Sequence, residues 1–224
     1  DCVFGGWCTD SALSSCAATQ TVATTATGAK TFYAKWTCEE GYTANSGNTA
    51  CNANTITLSW ANGGKGTAPT TPATCTYGSN FTTAAAITGV TGYTFNKWSV
   101  NSKTFNAATS IACNSTNLGV TSGTATLTAT WTANTYTVTL NANGGTAGTT
   151  TSVTATYGSA MPAIAAANLP TRAGYTFAGF YDTDAATGGN MYYKATGASN
   201  KNWDKTAATT LYARWTQCAA NSYC

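Results

Sequence analysis

Thr210-Leu211-Tyr212-Ala213-Arg214-Trp215-Thr216 is the stretch on which the fold of this chain turns. Leu211, Ala213 and Trp215 alternate with Thr210, Tyr212 and Arg214, the period of two that gives a strand one apolar face. The same pattern closes two earlier segments, Thr126-Leu127-Thr128-Ala129-Thr130-Trp131-Thr132 and Thr31-Phe32-Tyr33-Ala34-Lys35-Trp36-Thr37. The copies stand roughly ninety residues apart, too far for a solenoid and suited to small domains in a row. Trp36, Trp131 and Trp215 fall on the apolar phase and are expected in the cores. Tyr33 and Tyr212 fall on the opposite phase and are candidates for contact with a neighbouring repeat or partner.

Working back from each closing strand, the same elements recur. Thr55-Ile56-Thr57-Leu58-Ser59-Trp60 runs into Asn62-Gly63-Gly64, and Thr135-Tyr136-Thr137-Val138-Thr139-Leu140 runs into Asn143-Gly144-Gly145. Strict alternation followed by Asn-Gly predicts a hairpin. Its returning strands are 73–78 and 155–158. Ala-rich stretches over 82–87 and 161–168 predict a turn or two of helix. A third strand follows, Gly92-Tyr93-Thr94-Phe95-Asn96-Lys97-Trp98 or Gly174-Tyr175-Thr176-Phe177-Ala178-Gly179-Phe180, and then a variable polar loop. The expected fold is mainly β, a small α+β unit with four strands carrying one short helix on the apolar face. The organisation read from this is a partial repeat over 1–37 holding only the second half, and a Cys-bracketed connector over 38–53. Complete repeats over 54–132 and 133–216 follow, and 217–224 begins another connector. A repeat of about 80 residues buries only ~60–65% of its unfolded surface, so disulfides and neighbours are needed to stabilise it.

Composition narrows the function. Charged residues are 8% of 224 and the net charge is +3, too sparse for a nucleic-acid footprint. Thr makes up about a fifth of the chain and suits a pleated, half-wet surface, while 7 Trp and 12 Tyr exclude a disordered polar tract. No window supplies the ~20 apolar residues of a membrane helix. No signal peptide is visible from Asp1 onward, so one is expected to have been removed or to lie upstream. Nine cysteines and no His predict a disulfide framework in an oxidising compartment rather than a metal site.

The order of opening strand, Asn-Gly-Gly, Tyr-Gly, Leu169-Pro170-Thr171-Arg172-Ala173-Gly174-Tyr175-Thr176-Phe177-Ala178-Gly179-Phe180-Tyr181 and Leu211-Tyr212-Ala213-Arg214-Trp215-Thr216 resembles the Listeria–Bacteroides repeat, also called the internalin B-type repeat. The likeness covers 134–216 closely. It is looser over 54–132, where the Pro-Thr-Arg stretch is missing, and in 1–37 it holds for the second half of a repeat, from Phe4-Gly5-Gly6-Trp7 onward. The resemblance implies tandem β-grasp-like domains in a bacterial surface protein, with roles in display, stalks and adhesion, and it brings no catalytic residues.

Chemistry-bearing motifs are few. Gly63-Gly64-Lys65-Gly66-Thr67 separates the Lys from the Thr that a phosphate loop needs beside it, so it reads as a hairpin turn. Asp182-Thr183-Asp184 with Gly188, Gly189 and Asn190 lacks the oxygens that calcium requires and reads as a polar turn. Leu169-Pro170-Thr171-Arg172 belongs to the repeat, not to a sortase signal. Glu39-Glu40 and Asp182/Asp184 are the close acidic pairs, both in loops, and no His stands by to activate a Cys, so no catalysis and no cofactor is expected. Asn80-Phe81-Thr82 and Asn114-Ser115-Thr116 fit the N-glycosylation acceptor pattern.

Loop sizes predict the bridges Cys8–Cys16, Cys38–Cys51 and Cys218–Cys224. Cys75, at the inward position that Ala155 holds in the last repeat, is expected to pair with Cys113 across the core. Cys2, at the position of Tyr175, is left without a partner. The partial repeat would expose Phe4, Trp7, Phe32 and Trp36 together with a strand edge, which recruits other chains. The expected function is therefore a non-enzymatic, extracellular cell-surface protein, a stalk segment of an adhesin or the subunit of a filament. Its partners would be other copies of the chain or neighbouring repeats. The alternative is a module that binds a host or environmental glycan or protein. Neither nucleic acid nor a membrane span enters either reading.

Overall fold

Alternating Thr and apolar residues pair into sheets wherever the sequence carries them, and the chain is nearly all β. The structure is a computed structural model that describes residues 2–46 and 48–219. The described residues of Asp1–Ile87 with Asn96–Thr130 make one compact unit, and those of Thr88–Phe95 with Trp131–Cys224 make a second.

The first repeat contributes β1 (Cys2–Cys8), β2 (Cys16–Ala17) and β3 (Tyr33–Cys38), a three-stranded antiparallel sheet in the order β2-β1-β3. The connector is a small hairpin, β4 (Tyr42–Ala44) with β5 (Cys51–Ala53). The middle repeat follows with β6 (Thr55–Ala61), β7 (Thr74–Thr76), β8 (Asn80–Thr82), β9 (Tyr93–Val100), β10 (Lys103–Phe105), β11 (Ser110–Ala112), helix α1 (Ser115–Leu118) and β12 (Gly123–Ala133). Its sheet runs β10-β9-β12-β6-β7, and β8 pairs with β11 apart from it. The last repeat has β13 (Thr135–Asn141), β14 (Ser152–Thr156), β15 (Tyr175–Tyr181), β16 (Met191–Lys194) and β17 (Thr209–Gln217), in the order β14-β13-β17-β15-β16.

Both complete repeats share one plan. The Asn-Gly hairpin sends the second strand to the outer edge, and the closing strand returns between the opening and third strands. It lies parallel to the opening strand, with Leu140 opposite Leu211 in the last repeat and Leu58 opposite Ala125 in the middle one. A parallel neighbour demands a crossover, and the residues after the hairpin supply it by passing over the apolar face.

That crossover corrects one expectation. The stretch over 82–87 forms no helix, and the stretch over 161–168 forms only a 3-10 turn, Ala166–Asn168. Segments this short cannot repay helix nucleation, and Pro162 biases Met161 to extended backbone. Phe81, Ala84 and Ile87, or Met161 and Ile164, are buried from these extended segments. The main sheet of each complete repeat also has five strands rather than four, because the loop after the third strand folds back as β10 or β16.

The expected burial of the closing-strand Trp residues needs a second correction. Leu127 and Ala129, and Leu211 and Ala213, are buried, but Trp131 and Trp215 are only half-buried and Trp36 is 46% exposed. In the last repeat the Trp stands near the end of its strand, and Trp215 packs against the edge of the core rather than inside it. Trp215 Nε1 donates to the carbonyl of Ala142 at 2.9 Å. The fully buried rings are Trp98 in the middle repeat and Phe180, Tyr192, Tyr193 and Trp203 in the last.

One small joint is built twice. Asn54 donates its backbone N–H to the Gly41 carbonyl at 2.9 Å and accepts from Thr43 Oγ1 at 2.6 Å, and the Tyr42 and Tyr77 rings meet edge to face. Asn134 does the same with Gly92 and Thr94, where Tyr93 meets Tyr157.

Candidate interaction face and cysteine cluster

The first sheet places its aromatic residues by a bulge. Alternation alone would send Phe4 and Trp7 to opposite faces. The register of β1 against β3 shifts between Phe4 and Gly6, and the extra residue returns both rings to one side. Gly6 has φ of 122°, a region that side chains with a Cβ avoid, and a Cβ there would meet the Ala17 carbonyl oxygen at 2.8 Å. In the last repeat the register of β15 shifts between Phe177 and Gly179, and Gly179 has φ of 135°.

The resulting trio is equivalent in both, with Trp7 standing where the last repeat has Phe180. Phe4 lies across the ladder from Trp36 with ring centroids 5.5 Å apart, and 5.4 Å from Trp7, both edge to face. Phe177 lies across from Trp215 at 5.7 Å and 5.0 Å from Phe180. Their surroundings differ. Phe180 is 1% exposed beneath Val138, Leu140, Met161 and Ile164, whereas Phe4, Trp7 and Trp36 are 40%, 43% and 46% exposed. Phe32, just before β3, is half-buried and shares with Trp7, Ala18, Thr19 and Gln20 an open groove. Tyr33 is exposed, and Tyr212 is half-buried opposite Tyr181.

The cysteines are distributed as follows. Cys8 bonds Cys16 with Cα atoms 4.0 Å apart, closing a loop whose Ser14 and Ser15 N–H groups donate to Asp10. These hydrogen bonds hold the Asp10 carboxyl below its ordinary range. Cys75 bonds Cys113 inside the middle repeat, both buried. Cys218 is disulfide-bonded, and the expected Cys218–Cys224 bridge involves Cys224, which lies outside the described residues. Cys2, expected to stand alone, does not. It faces Cys38 across the β1–β3 ladder, and the sulfurs of Cys2, Cys38 and Cys51 all lie within 4.8 Å of one another. The Cα of Cys51 is 5.5 Å from that of Cys38 and 5.9 Å from that of Cys2, both within reach of a bridge. The reading that left Cys2 over had no register for residue 2; the β1–β3 pairing supplies it.

The remaining motifs resolve into turns. Asn62 accepts from Gly64 N and donates to the Gly66 carbonyl, which folds Gly63-Gly64-Lys65-Gly66-Thr67 into the hairpin after β6. Asp182 is taken up by Asn190 and by Lys205 at 2.9 Å. Burial alone would raise its carboxyl, but the Asn190 and Lys205 donors outweigh that and hold it down to about 2. Arg214 binds the Ala185 and Gly188 carbonyls and lies over the Tyr181 ring, and Arg172 lies over Tyr175. Glu39 and Glu40 are exposed. Asn80 is exposed on β8, and Asn114 caps α1 by accepting from Asn117 N.

Sequence reasoning passed over one polar cluster. Tyr192 donates to Asp204, which also pairs with Lys201 at 2.6 Å. Burial, with Asp204 beside it, pushes the Tyr192 phenol up. Burial pushes Tyr193 up to about 12, and its hydroxyl donates to the Pro162 carbonyl at 2.8 Å. These residues sit in the variable loop, where no periodicity marks them.

Residues 1–35 and 136–214, about half of the chain, match the Listeria-Bacteroides repeat domain, and the chain belongs to that family. The stretches matched are the open first repeat and the last complete one; the middle repeat lies between them. No curated protein and no solved structure matches the chain. Family membership and the disulfides together point to a surface or extracellular protein. Among the described residues no helix is long and apolar enough to cross a membrane.

Proposed function

We propose that this chain is a non-enzymatic structural segment of a cell-surface stalk or filament, whose first sheet is completed by the opening strand pair of a further repeat. One observation carries this reading. The order β3-β1-β2 reproduces β17-β15-β16, and what the first sheet lacks is the pair that corresponds to β13 and β14. The occupant that fits is therefore an alternating Thr/apolar strand laid parallel to β3 and followed by an Asn-Gly hairpin, the strand-addition mode of recognition.

Energetics support such a cover. Burying each of Phe4, Trp7 and Trp36 contributes about 1.5–3 kcal/mol, and β3 gains hydrogen bonds along its open edge. Aromatic platforms also bind sugars, but this trio holds the strand positions of Phe177, Phe180 and Trp215, which lie in or against the core of the last repeat, and that favours a protein strand. Completion between identical units is heterologous, so it propagates rather than closes.

A peptide spanning 135–157 is the probe. Its addition should shift the fluorescence of Trp7 and Trp36 to the blue, and a Trp7→Ser/Trp36→Ser chain should not bind it. No shift at millimolar peptide would refute completion by an opening pair. Filaments or oligomers that dissolve as the peptide saturates would identify other copies as the source. A monomer that binds the peptide would identify a tandem neighbour.

A further inference from the structure

We propose that Cys2, Cys38 and Cys51 form a thiol–disulfide exchange site that presents one thiol to a thiol- or disulfide-bearing partner. Their sulfurs lie within 4.8 Å of one another. A sulfur joins only one other in a disulfide, so three of them hold one bridge and leave one thiol. The other described cysteines do not compete, because Cys8–Cys16, Cys75–Cys113 and Cys218 are already bonded.

Cys51 is the common member. It comes from the connector hairpin, and its Cα lies 5.9 Å from Cys2 and 5.5 Å from Cys38, so either can bond it without backbone movement. The thiol therefore alternates between Cys2 and Cys38. In the exchange the Cys38 thiolate attacks the Cys51 sulfur of a Cys2–Cys51 bridge. The Cys38–Cys51 bond forms, the old bond breaks, and Cys2 leaves as thiolate with its electron pair. The proton released by Cys38 is returned to Cys2 through solvent, and no oxidant is consumed.

An external disulfide reacts in the same way. The exposed Cys2 at the head of β1 attacks it, a mixed disulfide forms, and the partner's second sulfur leaves as thiolate. The cluster sits at the end of the sheet that bears the open aromatic face, so a partner attached there is tethered beside that face at high effective concentration. The inference does not depend on what covers the face.

The full chain, kept unreduced, would be treated with the aromatic disulfide 5,5′-dithiobis(2-nitrobenzoate), quenched in acid and mapped by peptide mass. One aromatic thiolate should be released per chain. The label should be found on Cys2 in some chains and Cys38 in others, and never on Cys51. Cys2→Ser and Cys38→Ser should each release none. Mapping of the wild-type chain decides the matter if a variant misfolds. A Cys2 or Cys38 already carrying a mixed disulfide would support the site. Label on Cys51, or on only one of the other two, would overturn it. So would no release from a chain with all three cysteines mapped to internal bridges. Three labels, whether from a reduced cluster or from a metal-holding one opened by chelation, would overturn it as well.

Discussion

The first and last repeats place equivalent trios of rings on equivalent bulged strand pairs, and the trio of the last repeat is much the better covered. Phe180 is 1% exposed and its counterpart Trp7 is 43% exposed. The strand that carries the trio is therefore not what makes a core. The cover is, and it comes from β13 together with the crossover after the hairpin. A half-repeat keeps its shape by other means: Cys8–Cys16 pins the edge, and Cys51 ties the connector to the strand ends.

The sharpest way to break this comparison is to truncate equivalent rings. Phe180→Ala should cost about 3–5 kcal/mol, the value for a fully buried aromatic. Trp7→Ala should cost less than about 1 kcal/mol in the isolated chain. Urea unfolding followed by tryptophan fluorescence separates the two. Equal losses would mean that the first sheet is already covered in solution.

A second pair of repeats sharpens the point with a smaller effect. Cys75 and Ala155 hold equivalent places beside the opening strand, opposite Ile56 and Tyr136. The middle repeat bridges its core there and the last repeat does not. A Cys75→Ala/Cys113→Ala chain should lose about 2–4 kcal/mol from the middle repeat, while the last repeat unfolds as before. Calorimetry with two resolved transitions checks this, and a shift of both together would contradict independent cores.

The smallest effect expected is electrostatic and confined to the last repeat. Asp182 is held down to about 2 in the folded chain, below the ~3.9 of an unfolded Asp. A depressed carboxyl stabilises the fold above its unfolded pKa and loses that contribution as pH falls through its folded pKa. Melting temperature should therefore drop between about pH 4 and pH 2, and the drop should shrink in Asp182→Asn.

The strands were legible because alternation is local: Leu211, Ala213 and Trp215 announce a face within seven residues. The hairpins were legible for the same reason, through Asn143-Gly144. What was not legible depends on partners far along the chain. Tyr192, Tyr193 and Trp203 are buried from a polar loop with no period, so nothing marks them as core before the sheet exists. The 161–168 stretch reads as helix by composition, but the Ile164 N–H donates to the Gly197 carbonyl at 3.0 Å, a partner far along the chain rather than one a turn back, and this holds the segment extended. Cys2 and Cys51 become neighbours only after β1 pairs with β3 and the connector folds over.

The parallel pairing of β13 with β17 has a mechanical consequence. A pull on the chain draws β13 backward from its start and β17 forward from its end. Parallel neighbours pulled this way slide along a shared axis, so the bonds between Val138 and Thr209 through Asn141 and Tyr212 are loaded together in shear. They cannot be peeled one at a time from an end. The middle repeat offers the same clamp over Ile56 to Ala61 against Gly123 to Thr128. A tether made of such repeats resists stretching until a whole row of hydrogen bonds ruptures at once.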